Sequence, residues 1–92
     1  MEFQKEPGRI YALGEDGKLL AEITFPTGED GVADIDHTFV DESLRGQGVA
    51  SQLVRAAAEE LRAQGKRAKT SCWYAAQWFE KHPQEQDLLY KD

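Results

Sequence analysis

Val32-Ala33-Asp34-Ile35-Asp36-His37-Thr38-Phe39-Val40-Asp41-Glu42-Ser43-Leu44-Arg45-Gly46-Gln47-Gly48-Val49-Ala50-Ser51-Gln52-Leu53-Val54 changes its periodicity part-way along. Up to Val40, Ala33, Ile35, His37 and Phe39 alternate with Asp34, Asp36, Thr38 and Val40, the period of a strand with one face toward a core. From Gly48 to about Gln64, the apolar Val49, Leu53, Val54, Ala57 and Leu61 recur at helical spacing, and Gly65 is placed to end the helix. The stretch predicts a strand, a loop and an amphipathic helix, with two glycines where the helix begins. On this alternation His37 shares a face with Ile35 and Phe39.

Upstream, Arg9 to Leu13 and Lys18 to Phe25 flank Gly14-Glu15-Asp16-Gly17, a tight-turn sequence that predicts an antiparallel hairpin. Leu19, Ala21, Ile23 and Phe25 form the buried face of the second strand, and Pro26 to Gly31 makes the next turn. Downstream, Lys66 to Cys72 has room for one short strand, and Trp73 to His82 reads as a second helix stopped by Pro83. The tail through Leu88-Leu89-Tyr90 is expected to dock weakly. The expected order is β-β-β-α-β-α, a mixed α+β / α/β fold in which antiparallel N-terminal strands lead into a β-α-β unit with a C-terminal helix. Crossovers of this kind are almost always right-handed and make their strands parallel. Ligands of open α/β sheets bind outside the carboxyl ends of such strands. The glycine loop, His37 and Cys72 all fall near that edge.

Length and composition bound the rest. Ninety-two residues, with 40% hydrophobic and 30% charged, suit one folded domain over residues 1–92, expected as a monomer. No internal repeat or Pro-rich linker divides it. The charged start Met1-Glu2-Phe3-Gln4-Lys5-Glu6-Pro7 does not resemble a signal peptide, and no apolar run approaches membrane-spanning length, so a cytoplasmic protein is expected. Cys72 is the single cysteine, which excludes an intrachain disulfide and a cysteine-based zinc site; no metal is expected. A net charge of −6 argues against nucleic-acid binding and favours a cationic partner.

Amides at the start of a helix, backed by its dipole, bind phosphate without a row of lysines, and glycine lets the backbone approach closely. Arg45 can add a charge-assisted contact. The loop lacks the Gly-Lys-Ser/Thr of a Walker motif and the three glycines of a dinucleotide fingerprint. By itself it is equally a loop that turns a corner. Arg45-Gly46-Gln47-Gly48-Val49-Ala50, however, resembles the Arg/Gln-x-x-Gly-x-Gly/Ala signature of the GNAT acetyltransferase superfamily. Ile35-Asp36-His37-Thr38-Phe39-Val40 before it, and Cys72-Trp73-Tyr74 with His82-Pro83 after it, resemble a short, cysteine-containing branch of that superfamily, over roughly residues 9 to 90. The resemblance implies that Arg45, Gly46, Gln47, Gly48, Val49 and Ala50 bind the pyrophosphate of acetyl-CoA. It also implies that Phe39 and Val40 offer strand-edge contacts to the pantetheine arm.

A thioester donor is already activated, so the protein must orient an acceptor amine and manage its proton. Two routes follow. The amine attacks directly after losing a proton to a base such as His37, or Cys72 takes the acetyl group first and passes it on. Cys72 stands where a strand ends and a helix begins, where helical amides favour a thiolate. The resemblance marks the same cysteine and histidine. Read from the residues alone, Cys72 is more often a packed small hydrophobe than a nucleophile, and His37 is equally readable as a hydrogen-bonded core histidine. Tyr74 is a further proton donor to consider; His82 reads as a helix terminator, and Trp73, Trp78 and Phe79 as core or groove wall. Asp34, Asp36, Asp41 and Glu42 are either attractants for a cationic amine or solvated acids. An acetyl-CoA-dependent N-acetyltransferase, a non-catalytic acyl-CoA sensor and an interaction domain with a purely structural loop are the functions in contention.

Overall fold

A computed structural model describes residues 2–91. Strands β1 (Gln4–Glu6), β2 (Arg9–Leu13), β3 (Leu19–Thr24) and β5 (His37–Val40) form an antiparallel sheet in that order. Strand β4 (Ala33–Ile35) pairs in parallel with β6 (Ala68–Thr70). Helix α1 (Val49–Ala63) makes the crossover between them, and α2 (Trp73–Lys81) follows β6. Two 3-10 turns, Glu42–Leu44 and Pro83–Leu88, complete the chain.

The expected hairpin forms, with Gly17 at φ +83° where the turn needs it. A strand at Gln4–Glu6 was not predicted. All three of its residues are exposed, so no apolar alternation marks it, and only pairing with β2 makes it a strand.

The expected third strand, Val32 to Val40, is corrected more substantially, because it is two strands that meet at a bulge. The Asp36 N–H donates to Thr24 O (3.2 Å) while His37 is itself the register partner of Thr24, so two residues oppose one. The alternation slips by one at that point. Ala33 and Ile35 are fully buried, but beyond the bulge Thr38 and Val40 are the half-buried pair and His37 and Phe39 are exposed. His37 therefore does not share the face of Ile35.

One core lies on the helical side of the sheet. Ile10, Ala12, Ala21, Ile23 and Ile35 from the strands meet Leu53, Val54, Ala57 and Leu61 of α1 and Ala75, Trp78 and Phe79 of α2. Each fully buried Leu or Val stabilises the fold by about 1.5–3 kcal/mol. The opposite face of the antiparallel sheet carries Arg9, Tyr11, Glu22, Thr24, His37 and Phe39, and among the described residues no helix covers it. The tail is held more firmly than expected. Leu88 is buried, the Tyr90 N–H donates to Ala68 O (2.7 Å), and Arg62 pairs with Glu85 and Asp87.

Candidate active site at the parting of two strands

The parallel ladder ends where the Cys72 N–H donates to Ile35 O (3.0 Å). Past this bond β5 stays with β3, while the other strand gives way to α2, which starts at Trp73. The Asp41 N–H donates to Leu20 O, so the antiparallel alternation turns the backbone groups of His37 and Phe39 toward β3. Thr38 and Val40 turn theirs to the other, unpaired edge. A wedge-shaped opening with free backbone donors and acceptors results.

At its mouth stands the start of α1. Gly46 (φ +82°) and Gly48 (φ +74°) take left-handed conformations, and a Cβ at either would meet no atom within 4 Å. The helix caps on Gly48 with no side-chain bond to its amides. Its first backbone bond runs from the Gln52 N–H to Gly48 O (3.1 Å), which leaves the amides of Val49, Ala50 and Ser51 without an intrahelical acceptor. Those amides, Arg45 and the helix dipole form an anion cradle. A hollow of 170 Å³ there is lined by Val40, Leu44, Arg45, Gly46, Gly48 and Tyr74, among others. Upstream, Asp41 accepts from the Ser43 N–H (3.1 Å) and Oγ (2.6 Å), fixing the turn into the cradle; these bonds hold its carboxyl below the usual range. A hollow of 710 Å³ elsewhere, between Pro7, Phe25, Pro26, Gln64 and Lys66, is larger but has neither free helical amides nor the cysteine.

The Cys72 thiol is half-buried, packs against the core and lies 3.6 Å from Thr38 Oγ1, to which it donates. His37 is not brought to it. His37 projects from the other face of β5, and its Nε2 lies 3.6 Å from Glu22 Oε1. The second oxygen of Glu22 accepts from Arg9 Nε (2.5 Å). Tyr74, in the first turn of α2, lines the same hollow and is half-buried, and burial pushes its phenol above the ordinary value. Phe39 is 37% exposed on the uncovered face, and Trp73, next to Cys72, is 72% exposed.

Of the acids singled out in the sequence, Asp34 binds the Ser71 N–H and Oγ, Asp36 accepts from Thr24 Oγ1, and Asp41 serves the turn. These carboxylates brace the loops around the site. His82 caps α2: its ring stacks on Trp78 at 4.0 Å, and its Nδ1 lies 2.7 Å from Trp78 O. Two residues escaped sequence reasoning. Thr38 was set on the wrong face by unbroken alternation, and Ser51, whose Oγ accepts from Trp78 Nε1 (2.8 Å), carries no local signal. Among the described residues no group of three or more His, Cys, Asp or Glu could hold a metal ion, and no helix is long and apolar enough to cross a membrane.

An antiparallel sheet handing over to a parallel β-α-β unit, with free helical amides where the strands part, defines a mixed α/β domain. The chain belongs to the GCN5-related N-acetyltransferase family, whose model matches residues 9–88. It is 33% identical to Protein NATD1 of Bos taurus over 57 residues, 62% of this chain and 50% of that protein. Protein NATD1 of Homo sapiens is 32% identical over 57 residues, again 62% of this chain and 50% of that one. The chain thus spans about half the length of the curated relatives it matches. Among solved structures, a GCN5-like protein of Staphylococcus aureus superposes with a TM-score of 0.80 at 31% identity, covering 99% of this chain and 89% of that one. A streptothricin-acetyltransferase-like protein of Bacillus anthracis, solved in complex with acetyl coenzyme A, shares the fold at a TM-score of 0.59 and 20% identity, covering 84% and 48%.

Proposed function

We propose that this chain is an acetyl-CoA-dependent N-acetyltransferase, a monomer whose core closes within one chain and whose free thiol suits a reducing compartment such as the cytoplasm. The observation that carries the reading is the open amide cradle at Gly46–Ala50, set against the free edge of β5 and the half-buried Cys72. Family membership and the fold shared with an acetyl-coenzyme-A complex support it.

In this reading Arg45, Gly46, Gln47, Gly48, Val49 and Ala50 receive the pyrophosphate. The unpaired groups of Thr38 and Val40 receive the amides of the pantetheine arm, and Phe39 contributes its side chain from the opposite face. The thioester then lies in the wedge beside Cys72. The thiol sulfur attacks the carbonyl carbon, the bond to the CoA sulfur breaks, and the proton from Cys72 ends on that sulfur as CoA-SH. One thioester replaces another, so the step is nearly isoenergetic.

The acceptor reaches the acyl group from the uncovered face, since the core fills the helical side. There His37, beside Glu22, takes a proton from the acceptor ammonium, and the free amine attacks the acyl carbon to release the Cys72 thiol. Net charge of −6 favours a cationic amine as acceptor. General-base assistance of this kind contributes about 10²–10⁴ in rate.

Calorimetry with acetyl-CoA tests the cradle, and binding is expected; its absence at millimolar ligand would overturn the whole reading. Intact-protein mass tests the intermediate. An acetyl adduct lost on hydroxylamine treatment and absent from Cys72→Ala is expected, and full turnover by Cys72→Ala would leave direct transfer as the route.

A further inference from the structure

The bulge at Asp36 has a chemical consequence. It turns Thr38 inward, toward α2, and leaves its neighbour His37 on the far face of the same strand. Thr38 Oγ1 is the atom the Cys72 thiol meets, at 3.6 Å, within the range for a sulfur donor and in a partly buried setting. The thiol is fixed from two sides: its backbone N–H is bonded to Ile35 O, and its Sγ is bonded to the side chain three residues further along the neighbouring strand. Thr38 also borders the unpaired edge of β5, so its hydroxyl stands where the wedge opens.

We infer that Thr38 is the positioning residue for Cys72 in acyl transfer, a role that rests on the proposed use of Cys72 as nucleophile. In the resting protein its hydroxyl accepts from the thiol and selects the rotamer that points Sγ into the wedge. As the thiol gives up its proton before attack, the same hydroxyl rotates and donates to the Sγ thiolate; the charge then passes through the carbonyl oxygen to the departing CoA sulfur, where the proton ends. Hydroxyls can do both because they carry a donor and two acceptor sites. Valine has the same shape and neither capacity. His37 is thereby free of the thiol and serves only the acceptor side.

The test compares Thr38→Val, Thr38→Ser and the unmodified protein in three measurements. Single-turnover acetylation of Cys72 by acetyl-CoA, followed by intact mass, is expected to slow at least tenfold in Thr38→Val and to recover within about threefold in Thr38→Ser. Carbamidomethylation of Cys72 by iodoacetamide, without any CoA, is expected to slow at neutral pH and to have its pH profile displaced upward in Thr38→Val alone. Cooperative thermal denaturation is expected in both variants, which shows that both fold. Equal alkylation profiles in Thr38→Val and the unmodified protein would overturn the role of Thr38. An unmodified protein that turns over with no adduct would instead overturn Cys72 as nucleophile, and the alkylation profile would still decide whether Thr38 governs the thiol.

Discussion

The indole N–H of Trp78 donates to Ser51 Oγ at 2.8 Å, pinning the first turn of α1 to α2. Trp78 is buried, so its N–H needs a partner, and Ser51 belongs to the turn whose amides form the cradle. Ser51→Ala leaves that donor unsatisfied, at an expected cost of about 1–3 kcal/mol. Thermal denaturation is expected to show a lower midpoint, and calorimetry a weaker affinity for acetyl-CoA. A fully stable Ser51→Ala would mean that water replaces the hydroxyl.

Gly48→Ala separates stability from binding. Its φ of +74° makes a side chain strained, at about 1–2 kcal/mol, although the added methyl meets no protein atom. That methyl projects into the open cradle. Acetyl-CoA affinity is expected to fall at least tenfold, about 1.4 kcal/mol, while the domain still melts cooperatively. Unchanged affinity would place the pyrophosphate elsewhere.

His37 and Cys72 lie on opposite sides of β5, so their variants are expected to fail at different half-reactions. His37→Gln should form the Cys72 acetyl adduct at close to the normal rate yet turn over an amine about 10²-fold more slowly. Stopped adduct formation in His37→Gln would put the histidine on the donor side after all. Rapid quench with intact mass reads the first step, and thiol release the second.

Asp41 links acidity to the order of the loop. Its folded-state carboxyl is held below the ordinary value by the Ser43 hydroxyl and amide, with Lys18 assisting. A lowered folded value means that the contribution is complete above the unfolded value of 3.8 and is lost as pH falls through the lower folded one. Asp41→Ala is expected to melt lower than the unmodified protein at pH 6, with the difference narrowing progressively below pH of about 4. A difference independent of pH would assign Asp41 a purely steric role.

The order of main elements, the helix from Val49 and the glycine start that leaves its first amides free were legible because each depends on local backbone chemistry. Periodicity marks a helix face, and two glycines at its start leave amides free whatever surrounds them. Strand β1 was not legible, since Gln4–Glu6 offers no apolar face and owes its form to a partner. The faces of β5 were misread for a related reason. Whether two residues oppose one is a property of the pairing with Thr24 and leaves no mark on alternation.

By itself, then, the sequence determined a small α/β domain with a glycine loop at a helix start and named Cys72 and His37 as candidates for its chemistry. Tertiary structure decided which of them meet. Strand divergence past Ile35 opened the wedge, and the bulge at Asp36 sent His37 to Glu22 and Thr38 to Cys72. Side-chain direction along a strand reverses with every residue, so one extra residue held by a distant hydrogen bond exchanges the partners of all that follow it.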